Sequence, residues 1–189
     1  MVEPSSVLRA IFPSNDFNSS NEWYTPDYLM DAVRKVMKVG YIDLDPASCA
    51  EANKIVKAKR YYTIKDDGLS KNWTGENVWL NPPRGTDERI SIQYIWSKRV
   101  YLHYRRKEIK EALFIVRAVL GYLWFNEIWN LIPDVCFLDE RPAYYKGFVG
   151  DVANQDQLTG AIFYLGEDPT EFQKVFTHLG RVFDKNSYR

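Results

Sequence analysis

Three consecutive residues, Asn81, Pro82 and Pro83, carry the most specific chemistry in the sequence, within the run NVWLNPPRG. Two adjacent prolines fix two backbone φ angles and remove two amide donors, leaving carbonyls that only accept. The asparagine before them offers a side-chain carbonyl as a further acceptor. Acceptors held rigidly at a strand end suit an amine with two N–H donors, such as the exocyclic amine of adenine or cytosine. Polarising that amine without a charged base suits attack on an activated methyl group. A proline turn that merely closes a strand would read the same on these residues alone.

Two acidic loops precede this one. DLDPAS places Asp45, Pro46, Ala47 and Ser48 after a short strand-like run; small residues there let the backbone approach a ligand, and the carboxylate can meet hydroxyls or an ammonium group. It lacks the glycines of a dinucleotide fingerprint. A polar turn capping a helix from Asp45 or Ser48 is the plain alternative. DDGL places Asp66 and Asp67 at the next strand end, where a carboxylate can accept an adenine amino group and Leu69 can pack on the ring; a turn built around Gly68 is the alternative there. From Asp45 to Asp67 is 22 positions and from Asp67 to Asn81 is 14, one short strand–helix step each.

The elements that must position these loops follow from periodicity. Leu29, Ala32, Val33, Val36 and Met37 recur at helical spacing, with Pro26 and Asp27 in the first turn, Thr25 as N-cap and Gly40 at the end. YIDLDP reads as a strand, CAEANKIVKAK as a helix, and RYYTI and NVWLN as strands. Strand-like runs continue at 112–116, 134–138, 159–165 and 180–183, with helical candidates at 87–107, 122–131 and 169–177. Strands alternating with helices predict an α/β fold with a mostly parallel sheet, in which ligands bind beyond the carboxyl ends of the strands. Residues 1–21, rich in Ser, Asn and Pro, predict a flexible arm, and 22–189 a single domain.

Composition bounds the partners. The 189 residues are 46% hydrophobic, and 25 basic residues cancel 25 acidic ones, which excludes a globally basic, histone-like binder but not a local basic patch. Two cysteines without a CxxC, and two histidines, argue against a disulfide framework and against a metal site. Cys49 and Cys136 read as small buried hydrophobes, and His103 as a packed or phosphate-contacting side chain. No apolar run approaches the length of a membrane span, so a cytoplasmic protein with no membrane partner is expected.

Taken in order, NEWYTP, DLDPAS, AEANKIVKAKRYYT, DDGLSKNW and VWLNPP resemble the phage-type (Dam-like) DNA N-6-adenine-methyltransferase family. The similarity is densest from Glu22 to Gly85 and extends more loosely to about Val182. The resemblance implies a Rossmann-like methyltransferase fold, S-adenosylmethionine as cofactor, and methylation of the adenine amine in DNA. It implies that Tyr24, Thr25 and Pro26 hold the methionine end of the cofactor, that Asp45, Pro46, Ala47 and Ser48 form the first cofactor loop, and that Asp66 and Asp67 meet its ribose or adenine. Asn81, Pro82 and Pro83 match the catalytic loop, and Trp124, Phe125 and Arg141 resemble positions near the substrate cleft. The family's usual aromatic after the prolines is here Arg84, whose guanidinium can stack on a base or pair with a phosphate.

After that loop, residues 89–110 hold seven basic side chains: Arg89, Lys98, Arg99, Arg105, Arg106, Lys107 and Lys110. With Ile92, Ile95, Trp96 and Val100 as a buried stripe, they predict an outward, phosphate-contacting helix face; a solvated surface face has the same composition. Three functions remain open on the residues: methylation of adenine in DNA, methylation of a cytosine or an RNA base, and a weakened methyltransferase fold that binds nucleic acid.

Overall fold

The computed structural model describes residues 23–152 and 159–184, so the arm predicted over 1–21 lies outside the described residues. In chain order the strands are β1 (Trp23–Tyr24), β2 (Leu44–Asp45), β3 (Arg60–Tyr61), β4 (Gly75–Leu80), β5 (Thr86–Asp87), β6 (Ile90–Ser91), β7 (Ile109–Arg117), β8 (Asp134–Leu138), β9 (Tyr145–Lys146), β10 (Gly160–Leu165) and β11 (Gly180–Asp184). The helices are α1 (Asp27–Val36), α2 (Ala50–Val56), α3 (Ile92–Arg105), α4 (Leu123–Leu131) and α5 (Thr170–Phe176).

Strict alternation along the long strands divides the interior into two cores. Leu113 and Ile115 of β7, Trp79 of β4 and Ile162 and Tyr164 of β10 join Leu29, Val33, Ile55, Phe172 and Phe176 from α1, α2 and α5 on one face. Ala112, Phe114 and Val116, Val78 and Leu80, and Ala161 and Phe163 meet Ile92, Trp96, Val100, Phe125 and Ile128 from α3 and α4 on the other. A strand covered on both faces carries no polar alternation, which is why β10 reads as one apolar run. Burying each large apolar side chain contributes about 1.5–3 kcal/mol, so these two layers dominate the stability.

The sheet order is β11-β8-β10-β7-β4-β2-β3. Three neighbouring pairs, β3–β2, β2–β4 and β4–β7, are parallel. The other three, β7–β10, β10–β8 and β8–β11, are antiparallel. The expected mostly parallel sheet is therefore corrected to a mixed one. The causes are β10, which inserts between β7 and β8 and runs against both, and the edge strand β11, which runs against β8.

Local expectations are corrected at four places. The helix expected from residue 87 begins at Ile92, because residues 86–91 form the β5–β6 hairpin, with Glu88 at φ 43° and Arg89 at φ 74° in the left-handed region. The N-cap of α1 is Pro26, not Thr25. That helix ends at Val36, and Gly40, at φ 68°, closes the turn after it. Cys49 is half-buried rather than buried, and its Sγ caps α2 by accepting from the Ala52 amide at 3.4 Å. Cys136, by contrast, is fully buried, and burial pushes its thiol up to about 12.

Candidate active site

From β2 the chain passes to β3 on one side and then crosses back to β4 on the other. Strand order reverses there, which opens a crevice beyond the carboxyl ends of the strands. A cavity of about 120 Å³ occupies it. Its wall is made by Trp23–Thr25, by Asp45–Cys49 after β2, by Thr63, Ile64, Asp67 and Gly68 after β3, and by Asn81–Arg84 after β4. Loops from three neighbouring strands thus converge on one space.

Asp45 is 2% exposed and accepts from the Ala47 amide at 3.2 Å. Burial raises its carboxyl from 3.8 to about 7, a shift that the Ala47 amide only partly offsets. Ser48 Oγ lies near enough to soften the shift further but makes no geometrically sound hydrogen bond among the described residues. In the next loop the two aspartates diverge. Asp66 Oδ2 accepts from the Thr63 amide at 2.8 Å and its hydroxyl at 2.7 Å, and the Thr63 hydroxyl holds the Asp66 carboxyl below its usual range. Asp66 braces the loop and does not line the cavity. Asp67, at φ 52°, does line it, and its Oδ1 is buried without a hydrogen-bond partner among the described residues.

Gly68 fixes how closely these loops approach. A Cβ there would stand 2.0 Å from Pro46 O and 3.0 Å from the Trp96 ring. Behind it, Trp73 Nε1 donates to Gly68 O at 2.8 Å, and Trp73 stacks on Trp96 and on His103, with ring centroids 5.9 and 4.8 Å away. His103 is accordingly a packed side chain, with Nδ1 against the Glu108 carboxylate.

Asn81 is oriented by its amide nitrogen. Nδ2 donates to Trp23 O at 2.8 Å and to Thr25 Oγ1 at 3.3 Å. Because Trp23 O can only accept, the assignment of Nδ2 is fixed, and Oδ1 is left as the open acceptor among the described residues. This is the role taken by Thr25 in place of capping α1. Arg84 lies with its guanidinium 4.6 Å from the Trp23 ring and 5.2 Å from the Tyr144 ring, so it is packed on aromatics. Asn81 and Arg84 also border a second, smaller niche with Gln93, Arg117, Tyr144, Thr159 and Gly160.

A family model described as DNA N-6-adenine-methyltransferase (Dam) matches residues 15–182. The chain belongs to this family. Its members are DNA adenine methyltransferases, and the activity of the protein is transfer of a methyl group to the adenine amine in DNA. Comparison with curated proteins returns no match.

Of the residues expected in the methyltransferase site, the structure gathers Tyr24, Thr25, Asp45, Pro46, Ala47, Ser48, Asp67, Asn81, Pro82, Pro83 and Arg84 around one cavity. Pro26 and Asp66 are outside its lining, the first as the cap of α1 and the second as a loop brace. Trp23 and Trp79 line the cavity without having been named as site residues. Trp79 is fully buried, and its Nε1 has no partner among the described residues; in sequence it is indistinguishable from the apolar alternation around it.

The basic residues of 89–107 are spread along α3 and the turns at its two ends. Lys98 pairs with Glu127 at 2.8 Å, and Arg99 donates to Lys71 O at 3.0 Å. Ile92 starts α3 beside the catalytic loop, its amide on Gly85 O at 3.1 Å. A 14-residue helix then carries Arg105, and Arg106 and Lys107 after it, roughly 20 Å along to the opposite end of the sheet. Arg89 is exposed on the β5–β6 hairpin, which follows the Asn81–Arg84 loop, and Arg99 reaches back to the loop after β3 through Lys71 O. Phe125 is fully buried in the core and Arg141 is exposed; neither they nor Trp124 line the cavity. No group of three His, Cys, Asp or Glu side chains fit to hold a metal occurs among the described residues, and none of their helices is long and apolar enough to cross a membrane.

Proposed function

We propose that the methyl donor is S-adenosylmethionine, held in the cavity at the carboxyl ends of β2, β3 and β4, and that Asn81 receives the target adenine. When bound, S-adenosylmethionine supplies an electrophilic methyl group on a sulfonium centre. The fit is supported by the donor set of the cavity wall. Asp67 Oδ1 is a buried acceptor with no partner among the described residues, suited to a hydroxyl or amine donor, and Asp45 is a second carboxylate sealed from water. Gly68 lets the loop after β3 close directly on Pro46 at the cavity wall, since a Cβ there would stand 2.0 Å from Pro46 O.

The observation that carries the reading is the tethering of Asn81. With Nδ2 committed to Trp23 O and Thr25 Oγ1, Oδ1 accepts one N–H of the adenine amine, and the neighbouring prolines offer carbonyls without competing N–H donors. Accepting hydrogen bonds from the amine would raise electron density on N6 for methyl transfer, in which the donor's sulfonium S–C bond would break as the C–N bond forms. The proton released afterwards passes to solvent, so no charged base is required. Because the acceptor is fixed before substrate arrives, it stabilises developing charge with little reorganisation. DNA then approaches over the end of the sheet that carries Arg84 and Arg89, not over the far end of α3.

The test is transfer of labelled methyl groups from S-adenosylmethionine to a mixture of DNA and RNA, with the modified nucleosides resolved by mass spectrometry. N6-methyladenine in DNA is expected. A labelled cytosine, a labelled RNA base or no incorporation overturns the reading.

A further inference from the structure

The loop after the prolines lacks its usual aromatic, yet an aromatic face stands beside Asn81. We propose that Trp23 is the platform on which the extruded adenine stacks, and that Arg84 and Lys146, which cover its ring in the free protein, transfer to the phosphates flanking that nucleotide. The inference rests on the reading that Asn81 receives the adenine amine.

Four observations support it. Trp23 supplies the carbonyl that fixes Asn81 at 2.8 Å, so the indole is anchored on the same residue that orients the acceptor. Its ring is half-buried and lines the cavity together with Asn81 and Arg84. Tyr144 meets it edge-on, with centroids 6.2 Å apart at 86°, and holds the ring in place; the β1–β9 pairing of Trp23 with Lys146 fixes the backbone. Finally, two cations cover it: the Arg84 guanidinium at 4.6 Å and the Lys146 ammonium at 5.6 Å from the ring centroid.

An aromatic face flanked by two cations matches the two halves of a nucleotide. The base takes the π surface, and the cations, displaced from it, find phosphate oxygens at close range. A cation–π contact at a partly exposed ring is weak enough to be exchanged for a phosphate contact on binding. Position 84 thus delivers charge, and the stacking surface moves to position 23.

The experiment uses the full chain, saturating S-adenosylmethionine and a duplex in which the methylated adenine has been located. Single-turnover methylation is measured for Trp23→Leu and Trp23→Phe, and 2-aminopurine replaces the target adenine in a parallel emission assay. Base–aromatic stacking predicts a rate loss of roughly 10- to 100-fold for Trp23→Leu, with Trp23→Phe recovering most of it. Emission of the extruded 2-aminopurine is quenched against the indole in the parent and rises in Trp23→Leu. Equal rate and emission in parent and Trp23→Leu overturn the inference, as does a Trp23→Phe variant as slow as Trp23→Leu. A loss of cofactor affinity that matches the rate loss also overturns it, because the indole would then serve the donor cavity. A parental protein that methylates no adenine refutes the proposed function itself, a separate failure.

Discussion

Replacing Asp45 by Asn separates the stability of the fold from the needs of the site. Asp45 is 2% exposed, and burial raises its carboxyl from 3.8 to about 7. A raised folded-state value means that the folded chain holds the proton more tightly than the unfolded one. The stabilisation is fully present below about pH 4 and is lost as pH rises through about 7. Three pH units at about 1.4 kcal/mol each set a ceiling of about 4 kcal/mol for the destabilisation that ionised Asp45 imposes at pH 8. Asn keeps the shape, and its side-chain carbonyl can still accept from the Ala47 amide, without a charge to desolvate. Asp45→Asn should therefore melt higher than the parent at pH 8, by up to roughly 10 °C for a chain of this size, and the two should converge towards pH 4. The same change should weaken S-adenosylmethionine binding by about 1.5–3 kcal/mol, the range for hydrogen bonds to a charged group. Thermal melts of the ligand-free proteins at pH 4.5 and 8, with calorimetric titration of the cofactor, read both effects. A variant no more stable than the parent at pH 8 refutes the desolvation argument. Unchanged cofactor affinity refutes the assignment of Asp45 to the donor.

Asn81→Ala should lower the single-turnover rate by about 10²- to 10³-fold, as loss of a preorganised hydrogen-bonding group does, with cofactor affinity by calorimetry nearly unchanged; near-parental turnover would reduce the Asn-Pro-Pro loop to a turn. Gly68→Ala forces a Cβ against a backbone carbonyl 2.0 Å away, so cofactor binding should be abolished and the melting temperature should fall. Charge reversal separates the two ends of α3: Arg89→Glu should raise the KM for DNA and reduce the salt dependence of binding by about one phosphate contact, whereas the double change Arg105→Glu, Arg106→Glu should leave both near parental values. Equal effects from the two ends would restore the whole 89–107 segment as the DNA face.

The three loops were legible in the sequence because each has a local cause. Prolines, adjacent acids and a glycine at strand ends advertise their backbone geometry, and the spacing between them is set by short strand–helix steps. What escaped is non-local. Nothing in GAIFYL indicates that β10 pairs between β7 and β8, because a strand buried on both faces is apolar throughout. The β5–β6 hairpin was hidden because Glu88 and Arg89 occupy left-handed positions that Asn and Gly usually mark. Asp66 and Asp67 are neighbours of identical chemistry, and which carboxylate lines the cavity follows from the Thr63 bonds that hold Asp66 and the φ of 52° at Asp67. The basic segment is spread for a geometric reason: α3 is 14 residues, roughly 20 Å, long, so residues close in sequence stand at its two ends.

The arrangement of charge at the site follows from opposed demands within one crevice. The donor side presents carboxylates, Asp45 and Asp67, which suit hydroxyls and amines but repel a phosphate backbone. A chain of zero net charge offers no global attraction to offset that repulsion, so the cations have to stand at the rim where the two sides meet. Arg84 occupies that boundary, bordering both the donor cavity and the niche beyond Asn81. A tyrosine or phenylalanine there would supply stacking but no charge. An arginine at position 84 supplies a cation at that boundary, with its guanidinium over the Trp23 and Tyr144 rings.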